Sequence, residues 1–386
     1  MPQTVLSVVS TLGRCAPING LMNVIRNFDP DRFRAVIATL SPEPADTLIG
    51  EFQTLGVPVK QMELSRPGSF LFGARRLRRL VSEVDPDLVH PHGLRADILA
   101  AVAGLRCAVV STVHSDFFVD YPSAYGRCIG SLAAVCEYAA LRHFDGVNAV
   151  SQPLADVVKQ SGIAARGILN GVELREFYPA PDLNSIRALR SNLGWPSDAV
   201  VVLHTGVLRS LKNPIAIVNG FRASGLSRRG FLVFAGDGPQ RAECEKTAGS
   251  APNIVFLGKR RDVPSLLRAA DLLISASSSE GLSNSLMEGC ACGIRVVATD
   301  IPPHRHIQQI FPEQMQLFDQ PRSESIRAVF DGLEPERWQE KFLPSGVTLD
   351  LISTRRMSSQ YQDFYSEVLQ SARRGAAGGG KLALCR

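Results

Sequence analysis

Short apolar runs bounded by glycine, serine or proline alternate with longer segments whose apolar residues recur every three or four positions, almost from end to end of the chain. The short runs read as strands buried on both faces and the longer ones as amphipathic helices; regular alternation of the two is the pattern of parallel sheets with helical crossovers. A first set takes its strands from TVLSVVS, FRAVIATL, DLVHPHG, AVVSTVHS, GVNAVS and RGILNGV, with a long helical region from Ala124 to His143. A second set takes them from AVVVLHTGVL, FLVFAGDG, NIVFLGK, AADLLIS and RVVATD. REFYPAPDL, with two prolines, is the expected linker. The pattern predicts two Rossmann-like halves, residues 1–180 and 190–350. Beyond Val297 it loosens through IPPHRHIQQIFPEQ. A last helix, 355–372, then carries Met357, Tyr361, Phe364, Tyr365 and Val368 at helical spacing and must pack on something. The glycine-rich tail 373–386 is expected to be disordered.

Bulk numbers narrow the partners. At 386 residues the chain exceeds the size of one core, which suits two domains. The net charge of +5 is too small to argue for nucleic acid, which is not expected as a partner, and is compatible with anionic substrates or an anionic membrane face. No uncharged apolar run reaches 18 residues, and MPQTVLSVVSTLGR reads as a first strand rather than a signal peptide. The expected location is cytoplasmic, with peripheral attachment to the inner face of the plasma membrane as the variant. Arg75, Arg76, Arg78 and Arg79 share a predicted helix with Leu77, Leu80 and Val81, either as a solvated face or as a membrane contact. Eight cysteines show neither a C-x-x-C pair nor histidines at metal spacing, so no metal is expected.

The stretch EGLSNSLME is the hardest to explain by folding alone. It follows an apolar strand and three serines and enters a short helix, which places Glu280 and Glu288 at the carboxyl edge of a parallel sheet. Helix N-terminal amides there favour anions, and a phosphate fits at Ser283 and Asn284. A helix starting near Ser283 separates the two carboxylates by about 8 to 12 Å. That exceeds the roughly 5 Å of a retaining glycosidase pair and suits an elongated ligand, with sugar hydroxyls at one end, a ribose at the other and a pyrophosphate between. A second reading makes Glu288 the closing residue of a capping box with Ser285. Arg209 and Lys212, just past the first strand of the second half, can converge on one pyrophosphate. Gly236 and Gly238 mark a further strand end. His114 ends a strand of the first half, as do His90 and His92, and a neutral imidazole there can hydrogen-bond a sugar hydroxyl.

In combination these segments resemble the retaining nucleotide-sugar glycosyltransferases of the GT-B fold, glycosyltransferase family 4. The likeness rests on NGVELREFYP, VLHTGVLRSLKNP, LVFAGDGP, the run from NIVFLGKRRD through EGLSNSLMEGCACGIRVVATD, and the final helix. It implies two Rossmann-like domains facing each other across a cleft, the acceptor mainly on the first, the donor mainly on the second, and the C-terminal helix crossing back to the N-terminal domain. It further implies that Glu280 meets the donor sugar, Glu288 the ribose hydroxyls, Gly281, Leu282, Ser283 and Asn284 the sugar and phosphates, and Lys212 the pyrophosphate. The loop at Lys259 and Arg260 would meet the base, and His114 lies near the donor sugar. Ala16, in GRCAPING, stands where the family's glycine-rich loop approaches phosphate. Val207 occupies a position commonly held by arginine, which leaves Arg209 to supply that charge.

The implied activity is retaining, metal-independent transfer of a hexose-type sugar from a UDP- or GDP-sugar, without further cofactor, to an acceptor saccharide or lipid-linked saccharide in surface polysaccharide biosynthesis. Front-face attack is expected, because no second carboxylate is placed for double displacement. Two other readings stay open. A nucleotide-sugar epimerase on the same scaffold would convert donor without acceptor, and an inactive nucleotide-sugar-binding partner would show affinity without turnover.

Overall fold

The computed structural model describes residues 1–65, 72–332 and 341–377. Contacts divide the chain into two units: Met1–Gly171 together with the segment from Thr354, and Val172–Ser353. Each is built on an all-parallel sheet with helical crossovers.

The first unit orders its seven strands β3-β2-β1-β4-β5-β6-β7. These are β1 Gln3–Val9, β2 Phe33–Thr39, β3 Val59–Gln61, β4 Leu88–Pro91, β5 Ala108–Val113, β6 Gly146–Ala149 and β7 Ala165–Gly167. All six residues of β5 and the last six of β1 are buried, as strands covered by helices on both faces require. Of RGILNGV only Arg166 and Gly167 are strand, as the end of β7. The single helical region expected from Ala124 to His143 is two helices, Phe117–Tyr125 and Arg127–Leu141, broken at Gly126, whose φ of 81° suits glycine. The basic helix Ala74–Val84 buries Leu77 and leaves Arg75, Arg76, Arg78 and Arg79 exposed. Arg78 Nε donates to Ala103 O and Arg79 pairs with Glu83, which accounts for those two arginines as a solvated face.

The C-terminal helix runs from Thr354 to Ala377, so it includes the first five residues of the tail expected to be disordered; 378–386 lie outside the described residues. It belongs to the first unit. Met357, Tyr361, Phe364, Tyr365, Val368 and Leu369 pack into one core with Val5, Phe33, Leu88 and Val110. Polar groups fix its register: Tyr365 Oη lies 2.8 Å from His90 Nδ1, and Tyr361 Oη accepts from Asn148 Nδ2 at 3.0 Å and lies 3.2 Å from Thr112 Oγ1. Each such buried bond contributes about 1 kcal/mol net and costs more if left half-made.

The second unit orders six strands β10-β9-β8-β11-β12-β13: β8 Val200–Thr205, β9 Gly230–Ala235, β10 Ile254–Gly258, β11 Leu272–Ser275, β12 Arg295–Thr299 and β13 Met315–Phe318. Its start at Val172 gives it residues assigned on sequence to the first half. The expected linker lies against this unit: Arg268 Nη1 donates to Glu176 O at 3.0 Å, and its guanidinium sits 4.6 Å from the centre of the Tyr178 ring. The stretch where periodicity loosened forms the helix Pro302–Ile310, with prolines at its first two positions, and then the short strand β13.

Candidate functional site

In the second unit β8 and β11 are neighbours, but β8 hands the chain on toward β9 and β11 toward β12. The strand order reverses between them, and the crevice beyond the carboxyl ends of two such strands is where open α/β sheets bind ligands. Two loops meet there. The one leaving β8 runs through Gly206, exposed Val207, half-buried Arg209 and the 3-10 turn Ser210–Lys212 to Asn213, in the left-handed region at φ 49°. The one leaving β11 runs from Ala276 to Ser283. Asn213 Nδ2 donates to Ala276 O at 2.9 Å and Ser278 N to Leu211 O at 2.8 Å, so the loops are tied together.

That tie delivers Lys212 to Glu280. Nζ lies 2.6 Å from Oε1, with the side chains 18% and 7% exposed. Ser277 Oγ donates to the same oxygen at 2.7 Å, which gives the serine run after β11 a task. Burial raises the Glu280 carboxyl, but Lys212's charge and His304 outweigh it and hold the group well below the usual range. His304 is fully buried, its Nδ1 2.8 Å from Thr299 O, and its Nε2 has no hydrogen-bond partner and lies 3.7 Å from Glu280 Oε1. His204, on β8, is arranged alike: Nδ1 is 3.0 Å from Ile274 O and Nε2 is buried without a partner. Burial, above all, lowers His204 to about 4, so it is neutral. Sequence reading missed both histidines: His204 sits in an apolar strand run, and His304 in a polar helix that carries no recognisable motif.

The helix Asn284–Ala291 starts at N-cap Ser283, which makes no side-chain cap bond; its Oγ is 3.2 Å from Ser285 Oγ. Glu288 therefore stands in the second turn, five residues past the cap, and the capping-box reading fails. Glu288 is half-buried, and burial, with Glu176's charge, pushes its carboxyl up to about 7. An acid held near neutrality at a sheet's binding edge is a functional candidate. Gly281, Leu282 and Ser283 are buried between the two glutamates, and Asn284 is half-buried.

Gly236 follows β9. A Cβ there would stand 1.8 Å from Gly206 O, and one at Gly238 would stand 2.4 Å from Leu208 O. The absence of side chains admits the loop that carries Arg209 and Lys212. Gly236→Ala is expected to destabilise the second unit by about 3 kcal/mol, read as a lower urea midpoint; an unchanged midpoint would contradict this close approach. Lys259 and Arg260 are exposed at the end of edge strand β10, two strands from β8 and so roughly 10 Å away, with Arg260 paired to Asp262 at 2.5 Å.

His114 and Ala16 belong to the first unit. They line one pocket there with His90, His92, Gly20, Asn170 and Tyr361. His90 is structural, held between Tyr365 and Thr112 at 2.8 Å each. His92 stacks on it at 4.0 Å with neither nitrogen partnered, and His114 Nε2 is unpartnered too. Burial lowers His114 to about 4 and His92 well below its ordinary value, so both rings are neutral at pH 7. Ala16 begins the helix Ala16–Arg26, whose N-cap Cys15 makes no side-chain cap bond. No group of three His, Cys, Asp or Glu able to hold a metal occurs among the described residues, nor does a helix long and apolar enough to cross a membrane.

Residues 200–319 match the family described as Glycosyl transferases group 1, and residues 20–176 match Glycosyltransferase Family 4. Among curated proteins, the chain is 26% identical over 242 residues to the Escherichia coli UDP-Gal:alpha-D-GlcNAc-diphosphoundecaprenol alpha-1,3-galactosyltransferase, covering 58% of this chain and 60% of that one. It is 28% identical over 271 residues to the D-inositol 3-phosphate glycosyltransferase of Saccharomonospora viridis, covering 63% and 61%. It thus spans about three-fifths of the length of these relatives. Among solved structures, Anabaena HepE, crystallised with UDP and glucose, superposes with a TM-score of 0.71 at 18% identity, over 97% of this chain and 100% of that one. The fold is shared.

Proposed function

Since the chain belongs to glycosyltransferase family 4 and carries the GT-B fold, we propose that it transfers a hexose-type sugar from a UDP- or GDP-sugar to an acceptor hydroxyl with retention at the anomeric carbon. The observation that carries this is the Lys212–Glu280 pair lodged where β8 and β11 diverge, beside a helix start with no side-chain cap. Such a place supplies a fixed cation, amide dipoles for a diphosphate and a carboxylate for sugar hydroxyls. Glu288 takes the ribose and the Lys259–Arg260 loop the base. The first unit binds the acceptor, with neutral His114 as a hydrogen-bonding group.

Glu280 faces a cation and a serine rather than a second carboxylate, which favours front-face attack over double displacement. The acceptor oxygen bonds to the anomeric carbon as the bond from that carbon to the phosphate oxygen breaks. The electron pair leaves with the nucleoside diphosphate, and the acceptor proton passes to the departing phosphate oxygen. Lys212 and Arg209 neutralise the charge that develops, so turnover is expected to survive EDTA. The name of the Escherichia coli relative supports a lipid-linked saccharide acceptor, which the chain would meet at the inner face of the plasma membrane in surface polysaccharide assembly.

The test is incubation with UDP- and GDP-hexoses and a polyprenyl diphosphate-linked saccharide, read by NMR. A product with the donor's anomeric configuration is expected. Donor epimerised without acceptor, inverted product, or binding without turnover would each contradict the reading.

A further inference from the structure

The first unit carries an apolar surface that the site does not use. The helix Arg127–Leu141 buries Gly130, Ala134 and Leu141, yet its opposite side presents Ile129, Leu132 and Val135 at 69, 65 and 55% exposure. Three-residue spacing puts them on one face. The preceding helix adds Phe118 and Tyr125, at 46 and 57%. Between Arg127 and Arg142 the only charged residue is Glu137, and it is buried. The exposed face of Arg127–Leu141 is therefore free of charge and flanked at each end by an exposed arginine, and the preceding helix adds one acid, half-buried Asp120.

We propose that the outer face of the helices Phe117–Tyr125 and Arg127–Leu141 docks on an anionic lipid bilayer, its apolar side chains entering the acyl boundary and its arginines meeting headgroup phosphates. Apolar faces framed by basic and aromatic residues lie in the membrane interface plane. Charge in the same helical layer agrees. The helix Leu94–Val102 touches both Arg127–Leu141 and the basic helix Ala74–Val84, so exposed Arg75 and Arg76 stand in the same helical layer as the apolar face, where each basic residue near an anionic surface would add attraction. A second copy of the chain fits worse. A two-fold contact of this helix with itself sets Arg127 against Arg142 of the copy if antiparallel, or like arginines together if parallel.

The surface also adjoins a recess next to His114 in sequence. The residues directly after His114 enter a small apolar recess walled by Phe117, Phe118, Leu154 and Val157, and Phe118 is shared with the patch. A lipid-borne acceptor would arrive along it. That last step rests on the proposed activity, whereas docking itself does not.

The experiment is co-sedimentation of the full chain with vesicles of phosphatidylglycerol and phosphatidylcholine, and of phosphatidylcholine alone, without nucleotide sugar. Binding to the anionic vesicles is expected, weakened by salt and by the neutral lipid. The double substitution Leu132→Glu, Val135→Glu is expected to lower partitioning at least tenfold with the thermal midpoint unchanged, as suits exposed positions. Wild-type protein that stays in the supernatant, or a folded double variant that binds as wild type does, would overturn the proposal. So would a lipid-free dimer in sedimentation velocity that this substitution dissociates. Because no turnover is read, failure of transfer leaves the result interpretable.

Discussion

Lys212→Ala is expected to lower kcat/KM for the donor by more than about 100-fold, roughly 2.7 kcal/mol of barrier, and to destabilise the second unit by about 3 kcal/mol. Both effects follow from one distance. Nζ is 2.6 Å from Glu280 Oε1, and that carboxylate is 7% exposed, so removing the cation strands a buried charge. The pH dependence has a definite sign. With Lys212 present, Glu280 titrates well below its ordinary value, so its stabilising contribution is full above about pH 4.5 and is lost as pH falls toward the depressed pKa. Without Lys212, burial dominates, the pKa rises, and the variant is expected to lose stability as pH increases. Glu280→Gln separates the roles further. It should abolish transfer while tightening nucleoside diphosphate binding, because Lys212 no longer has a protein carboxylate competing for it. Weaker diphosphate binding in Glu280→Gln would mean that the pair does not compete with ligand.

Glu288→Gln carries the second large effect, and stability and function should move in opposite directions. Burial and Glu176 raise Glu288 to about 7, so ionising it costs the fold. The native state holds the proton more tightly than the unfolded chain, so the wild type loses stability relative to the variant as pH rises from about 4.5 to about 7, and the difference is complete above that. Discounting for partial exposure, the variant should gain about 1–2 kcal/mol at pH 8, or roughly 4 °C in Tm. Donor affinity should fall by about tenfold or more, since the neutral amide loses the charge-assisted bond to the ribose hydroxyls. Calorimetric unfolding and donor titration at pH 8 check the pair of outcomes; a variant that is less stable yet binds donor normally would make Glu288 a structural acid.

Much of this was legible in the chain, for reasons that differ by element. Buried strands such as AVVSTV and LLIS declare themselves because parallel sheets need continuous apolar runs, and Glu280 and Glu288 stand out because nothing in a strand-to-helix turn requires acids there. IPPHRHIQQI does not read as a helix because its apolar periodicity is loose, although prolines at the first two positions cost no hydrogen bond. β3 and β13, of three and four residues, are too short to show a period. Gly126 was hidden inside an otherwise helical run, and only its positive φ reveals the break.

In the site, the individual groups were visible but their pairings were not. Lys212 and Glu280 are far apart in sequence, and only the adjacency of β8 and β11 brings them together. His204 carried no signal because a histidine in an apolar run resembles any satisfied core residue, and His304 none because it sits in a polar helix without a motif; the unpartnered Nε2 atoms appear only in three dimensions. In the sequence Gly236 marks only a strand end, whereas in the fold the backbone of Gly206 fills the space beside it.

The central claim is that the second unit grips a nucleotide sugar lengthwise between Glu280 and Glu288, with Lys212 on the diphosphate. Crystals of the full chain soaked with a UDP- or GDP-sugar test it directly. The account predicts a diphosphate oxygen about 2.8 Å from Lys212 Nζ, with the ribose hydroxyls on Glu288 and the sugar on Glu280. A nucleotide bound elsewhere, with the Lys212–Glu280 pair untouched and Glu288 facing water, would contradict it.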